Sequence, residues 1–281
     1  GFMKTMRWVF AAGFAGVAGA LWGQAPEPLT LKTGFEEGDK APFGWSLSKG
    51  EGEWVKDGGG NGRCLMVKGD GASDNAWQSA ALDFAPSRVY RFSFLVRGEE
   101  AGGGTVVSGT SFANVDTGVP DKSWTRQSYV FATPLRKDEL SAPLRLGQWQ
   151  LKGRAFFDDA VLTPVEAVHA LAGDLTLGEG EKLEGTRYSF EVPFSSECRN
   201  HSRPHFWHTA AYNTERWCFN ERSMVCYRHL LAGRKWLSGE VELGVGYYQS
   251  GKLMVDVSLD AKEWQPLGVL TNSGPLRCEL P

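Results

Sequence analysis

The chain has 281 residues, a formal net charge of −3 and 42% hydrophobic content, which suggests two domains with apolar material enough for real cores. It carries no basic run, so nothing recommends a nucleic-acid partner. Thirty-five glycines and thirteen prolines, spread without a period, point to many short strands joined by tight turns.

The chain opens with a basic start, Met3-Lys4-Thr5-Met6-Arg7, followed by an apolar run over residues 8–21. Ala18-Gly19-Ala20 and Gly23-Gln24-Ala25 are two small-residue cleavage patterns. This order predicts a secretory signal peptide over residues 1–25. A membrane helix is the weaker reading, because a span needs about 18 apolar residues. No other segment reads as a span, so the mature chain is expected to be secreted, periplasmic or at the cell surface.

After a short linker at 26–31, strands are expected at 64–68, 77–84, 88–97, 102–107, 124–132 and 144–151. The clearest is 88–97, where Tyr90, Phe92, Phe94 and Val96 alternate with Val89, Arg91, Ser93 and Leu95. Residues 153–166 follow. There Ala155, Phe157, Asp159 and Val161 alternate with Phe156, Asp158, Ala160 and Leu162 before Pro164 stops the strand. Asp158-Asp159 is the odd feature of this run, since a desolvated carboxylate needs a partner or a cation. A junction at 169–180 leads into further strands at 188–192, 217–219, 224–231, 240–248 and 253–259, with 171–177 a candidate first strand. No closing strand is evident before Leu280-Pro281, so this half reads as truncated. Strands at near-regular spacing with turn signals between them predict an all-β protein of two consecutive β-sandwiches, at 30–167 and 170–281.

Residues 30–167 resemble a carbohydrate-binding module of the galactose-binding-like jelly-roll superfamily. The resemblance is carried by Gly34-Phe35-Glu36 with Gly44-Trp45, by Val89-Tyr90-Arg91-Phe92-Ser93-Phe94, by Ser123-Trp124 with Tyr129-Val130-Phe131, and by Phe156-Phe157-Asp158-Asp159-Ala160-Val161-Leu162. Residues 178–281 are similar to a galactose-binding-like or discoidin-like sandwich, chiefly through Val255-Asp256-Val257-Ser258-Leu259-Asp260 and Trp264. The resemblance implies a structural Ca²⁺ where the first and last strands meet. Glu36 and Asp158 or Asp159 match those places, with Asp70 as a third candidate ligand. Calcium takes six to eight hard oxygens, and carboxylates with backbone carbonyls make an ordinary set.

Sugar binding needs flat aromatic platforms beside polar groups, because a pyranose shows an apolar C–H face and a rim of hydroxyls. Trp54, Trp77 and Trp149 are the candidate platforms, with Gln78 supplying an amide next to Trp77. Trp45 and Trp124 match structural positions. Adjacent strand residues point to opposite faces, so Asp158-Asp159 cannot straddle a glycosidic bond. No Gly-x-Ser-x-Gly elbow or phosphate loop occurs. Catalysis within this chain is therefore not expected. His201, His205 and His208 lie within eight residues beside Cys198. Imidazole and thiolate suit zinc or copper, but the spacing follows no standard motif, and a polar loop is the plainer reading. The five cysteines are odd in number, and a Cys218–Cys226 cross-strand bridge is feasible.

The expected function is secreted carbohydrate binding, or service as the non-catalytic N-terminal part of a glycan-degrading enzyme with its catalytic domain beyond the C-terminus. The expected partner is a polysaccharide or glycan. A glycoside hydrolase-type fragment and a structural or adhesive cell-surface module are the alternatives.

Overall fold

The computed structural model describes residues 4–7, 29–57, 62–136, 138, 140–166, 170–172, 175–194, 197–231 and 233–281. The apolar run and both cleavage patterns of the expected signal peptide lie outside the described residues. Among the described residues there is no α-helix, and so no helix long and apolar enough to cross a membrane.

Fourteen strands come first: β1 (Lys4–Arg7), β2 (Leu31–Thr33), β3 (Trp45–Lys49), β4 (Glu51–Val55), β5 (Cys64–Asp70), β6 (Asp74–Ser79), β7 (Leu82–Asp83), β8 (Val89–Gly102), β9 (Thr105–Gly109), β10 (Ala113–Gly118), β11 (Thr125–Ala132), β12 (Ser141–Ala142), β13 (Arg145–Trp149) and β14 (Lys152–Pro164). Twelve shorter ones follow: β15 (Ala170–Ala172), β16 (Leu175–Leu177), β17 (Glu181–Glu184), β18 (Arg187–Phe190), β19 (His205–His208), β20 (Ala211–Asn213), β21 (Arg216–Cys218), β22 (Val225–Tyr227), β23 (Glu240–Val245), β24 (Leu253–Val257), β25 (Gln265–Leu270) and β26 (Gly274–Glu279).

Two sheets form a jelly-roll sandwich. One has the order β11-β8-β14-β5-β4, with β2 also paired to β14; the other has the order β21-β20-β10-β9-β13-β6-β3. Period-two alternation gives each strand one inward row. Tyr90, Phe92, Phe94 and Val96 of β8 point in, as the sequence predicts, and meet Phe131, Phe157, Leu65, Leu146 and Trp77 in one cluster. The rings of Phe84, Tyr90, Phe112 and Phe131 pack mostly edge to face. Fully burying each such side chain stabilises by about 1.5–3 kcal/mol.

The alternation expected through β14 does not hold. Ala155 and Phe157 face the core, but so do Ala160 and Leu162. Between Asp158, opposite Leu95, and Val161, opposite Ser93, the pairing with β8 shifts register. Two residues there face one, which is a β-bulge. Asp159 takes the left-handed conformation at φ 48°. The bulge switches the phase, so both ends of the long strand serve one core.

The second half does not keep to itself. Strand β20 pairs parallel with β10, and β21 pairs with β20, so residues 211–218 extend the seven-stranded sheet. Tyr212 lies in the sandwich core, and Trp217 packs against both that core and a second cluster around Val225, Tyr227 and Val255. The remaining elements form short ladders: β7–β12, β15–β16, β17–β18, β19–β22, β23–β26 and β24–β25, with β1 parallel to β24. Strand β26 closes the β23 ladder where none was read in the sequence. The Cys218–Cys226 bridge is absent, and no disulfide joins any of the five cysteines. Cys218 lies opposite Ala211 and Cys226 opposite Trp207, in different ladders.

Candidate functional site

The outer face of the seven-stranded sheet follows from the inward positions of its strands. Trp77, Leu146, Val106, Ala113 and Tyr212 belong to the core, so their strand neighbours point outward. Residues directly opposite one another share a face. Register then lines up one row across all seven strands: Ser46, Gln78, Arg145, Gly109, Asn114, Asn213 and Arg216. Every member but the glycine is polar. Next to this row runs a floor of small residues, Ala76, Gly147 and Val107, with Asp116 at its end. Beyond the floor stands Trp149, 51% exposed, between Asp74 and Thr105.

The polar row is internally bonded. Asn114 Nδ2 donates to Asp116 Oδ1 at 2.9 Å and to Asn213 Oδ1 at 3.0 Å. The Arg145 guanidinium donates to Asn114 Oδ1. Asp116 N donates to Thr214 Oγ1 at 3.2 Å, and Thr214 Oγ1 donates to Asn213 Oδ1 at 3.0 Å. Lys49 Nζ pairs with Asp74 at 2.7 Å on the far side. Gly109 must be glycine: φ is +99°, and a Cβ there would lie 2.0 Å from the Ala113 carbonyl oxygen.

The predicted platforms separate on this map. Trp149 and Gln78 share the outer face. Trp77 is 5% exposed, lies in the core and donates its indole N–H to Met66 O at 3.0 Å, so it offers no surface for stacking. Trp54 sits on the other sheet, opposite the core residue Leu65. Its indole donates to Phe35 O at 2.8 Å, and the Arg63 guanidinium covers its ring at 4.0 Å. Neither is a platform. Arg145, Asn114, Asp116, Asn213 and Arg216 were not singled out in the sequence. The usable signal was there in Ala113-Asn114-Val115-Asp116, an alternation of small apolar and polar residues typical of a half-buried strand.

Three of the four predicted calcium ligands converge. Strand β2 pairs with β14, Thr33 opposite Ala160, which brings Glu36 towards the bulge. A Cβ placed on Gly34 would lie 3.7 Å from Asp159 Oδ1, 3.9 Å from Asp158 Oδ1 and 3.9 Å from Glu36 Cγ. The oxygens are of the kind a hard cation takes, but protein groups already engage them. Arg63 N donates to both Glu36 oxygens at 3.0 Å. Asp159 pairs with Arg126 at 3.2 Å, and Asp159 N donates to Asp158 Oδ1 at 2.7 Å. Among the described residues, no three His, Cys, Asp or Glu side chains are grouped to hold a metal ion. Asp70 does not join the set. It lies opposite Lys152, at the far end of the strand whose other end, Cys64, is next to Leu65 opposite Phe157, about 17 Å away at about 3.4 Å per residue. There Asp70 Oδ1 closes a turn by accepting from Ser73 Oγ, Ser73 N and Ala72 N at 2.6, 2.7 and 2.9 Å. Those bonds, the Ser73 hydroxyl foremost, hold its carboxyl below the usual range.

The histidines form a buried knot. His208 Nδ1 and His205 Nε2 are 3.0 Å apart, and His205 stacks on Trp217 with centroids 5.7 Å apart. Burial first, and the neighbouring imidazoles second, push His205 well down and His208 down to about 3. Both rings are held neutral.

A groove of about 700 Å³ lies on the opposite sheet, lined by Glu51, Glu53, Lys68, Asp70, Glu100, Lys152 and Arg154 among others. Its lining contains no aromatic residue, and its charges are mixed.

No protein-family model matches the chain, and no curated protein does. Among solved structures it is similar to the CBM22-1 xylan-binding domain of Paenibacillus barcinonensis Xyn10C, at 17% identity and TM-score 0.40 over 51% of this chain and 99% of that one. It is also similar to the CBM22-1–GH10 modules of Clostridium thermocellum xylanase 10B, at 17% identity and TM-score 0.39, covering 51% of this chain but only 30% of that one. A third likeness, at 15% identity and TM-score 0.36 over 52% of this chain and all of that one, is to a family 11 carbohydrate-binding module of a Clostridium thermocellum cellulase. These neighbours are carbohydrate-binding modules.

Proposed function

We propose that this chain binds a polysaccharide on the outer face of its seven-stranded sheet and does not cleave it. The observation that carries this reading is Trp149: a half-exposed indole that faces a row of amides and guanidinium groups across a small-residue floor, about 14 Å along the strand. The ring offers a sugar's C–H face an apolar partner, and the row offers donors and acceptors to hydroxyls. Cleavage needs two carboxyl groups about 5–9.5 Å apart. On this face Asp74 and Asp116 lie on strands three spacings apart, about 14 Å.

The test is retention on insoluble xylan, cellulose and mixed-linkage glucan. The wild-type chain is expected to be retained by at least one polymer, and Trp149→Ala to lose that retention with an unchanged melting temperature. Equal retention by the variant would refute this placement of the site. Export, and service beside a catalytic domain, belong to the same proposal; mass analysis of the secreted product checks the cleavage near residues 20–25. A structural Ca²⁺ at Glu36, Asp158 and Asp159 would have to displace the Arg63 amide and the Arg126 guanidinium from their carboxylates. Chelation is then expected to lower the melting temperature, and no shift at all would remove the ion from the account.

A further inference from the structure

The polar row does not end with the sandwich. Its last two members, Asn213 and Arg216, come from the C-terminal half, on strands added to the sheet edge beside β10. These residues are built into the face. Asn213 Oδ1 accepts from Asn114 Nδ2 and from Thr214 Oγ1, both at 3.0 Å, and Thr214 N donates to Asn114 O at 2.9 Å. The underside is anchored equally well, because Tyr212 is 1% exposed within the sandwich core and packs edge-on against Trp217. Arg216 is exposed at the outer end of the row.

Seven strands at about 4.8 Å spacing make a face about 29 Å wide, of which β20 and β21 supply about 10 Å. Strand spacing is close to the repeat of one pyranose in an extended chain. A polar group recurs on nearly every strand along one straight line, and both ends of that line are open.

We infer that residues 211–218, from the C-terminal half, form the last third of the glycan's track across the outer face. This rests on the reading of the outer face given above. Asn213 is a positioning residue for Asn114 and Asp116, and Arg216 contacts the outermost sugar. A pocket for a chain end would need only one or two strands and would gain nothing from β20 and β21.

The experiment is calorimetric titration of the full chain with xylo- and gluco-oligosaccharides of two to eight units. Wild-type affinity is expected to rise with each unit until the chain spans the face at about six strand spacings. Arg216→Ala is expected to bind the shortest oligosaccharides like wild type, to level off about two units earlier, and to bind the longest about fivefold to tenfold more weakly, the scale of one charge-assisted hydrogen bond. Asn213→Ala is expected to level off early too, while Asn213→Asp, which keeps the acceptor oxygen, restores part of the loss. Identical length curves for wild type and Arg216→Ala, or a wild-type curve flat beyond three units, would overturn the inference while leaving the outer face as the site. If Trp149→Ala binds every length like wild type, the outer-face reading itself fails, and the composite track falls with it.

Discussion

In the sandwich the buried interior is filled by Tyr90, Phe92, Phe94, Phe131, Phe157 and leucines. In the C-terminal ladders much of the corresponding interior is ionisable. Glu181, its side chain 0% exposed, pairs with Arg203 and takes a hydrogen bond of 2.7 Å from the Tyr188 hydroxyl. That hydroxyl lies 2.8 Å from His229 Nδ1. Because the carboxylate can only accept, Tyr188 donates to it, and His229 Nδ1–H must donate to Tyr188. Burial alone would raise the Glu181 carboxyl, but Arg203, the Gly178 amide and Tyr188 hold it below its ordinary range. Burial pushes His229 down to about 4. An apolar core is indifferent to pH, whereas a core of neutral imidazoles and a paired carboxylate is not. The two halves should therefore fail under different conditions.

The largest expected effect of a single substitution lies in the sandwich. Phe94→Ala empties a position that is 0% exposed and should cost about 3–5 kcal/mol in denaturant titration, by the same amount at pH 7 and pH 5. A loss that changes strongly between those values would blur the contrast. Acid should act on the other half. Unfolded histidine takes a proton below about pH 6.5, while folded His208 resists until about pH 3 and His229 until about pH 4. Stability carried by these rings is complete above pH 6.5 and is lost as the pH falls from there towards 3, by about 1.4 kcal/mol per unit per ring. Glu181 acts in the same direction, since its lowered pKa makes acid release the ion pair. Amide exchange at pH 4.5 is expected to open the β17–β18 and β19–β22 ladders before the sandwich strands; simultaneous opening would sink the comparison. Smallest is Tyr188→Phe, which deletes the bridge between Glu181 and His229 and should cost about 1–3 kcal/mol, with the acid transition moved upward.

The sandwich was legible because its strands are long and their alternation unbroken. Residues 90–96 announce an inward row by composition alone, and residues 125–132 do the same. Strand β10 went unread although it carries Asn114 and Asp116, because its inward residues are only Ala113 and Val115. The platforms were harder still. Trp77 and Trp149 look alike in sequence, each beside a glutamine, and only the register of β6 and β13 shows that one points in and the other out. Gln148, the neighbour of Trp149, is 0% exposed, with its Oε1 accepting from Leu151 N at 2.7 Å. The joining of β20 to β10 is a contact between residues about a hundred positions apart, which no local pattern encodes.

The extra residue at Asp158–Asp159 has a consequence for how this chain tolerates change in length. Removing Asp159 would restore strict two-residue periodicity from Lys152 to Pro164. Ala160 would then pair opposite Phe94 and keep facing the core with Leu162, while Val161 and Thr163 would stay outward. One missing codon at this point would therefore be tolerated better than one missing at Phe156 or Phe157, where the loss would reverse the sidedness of one part of the strand against the other.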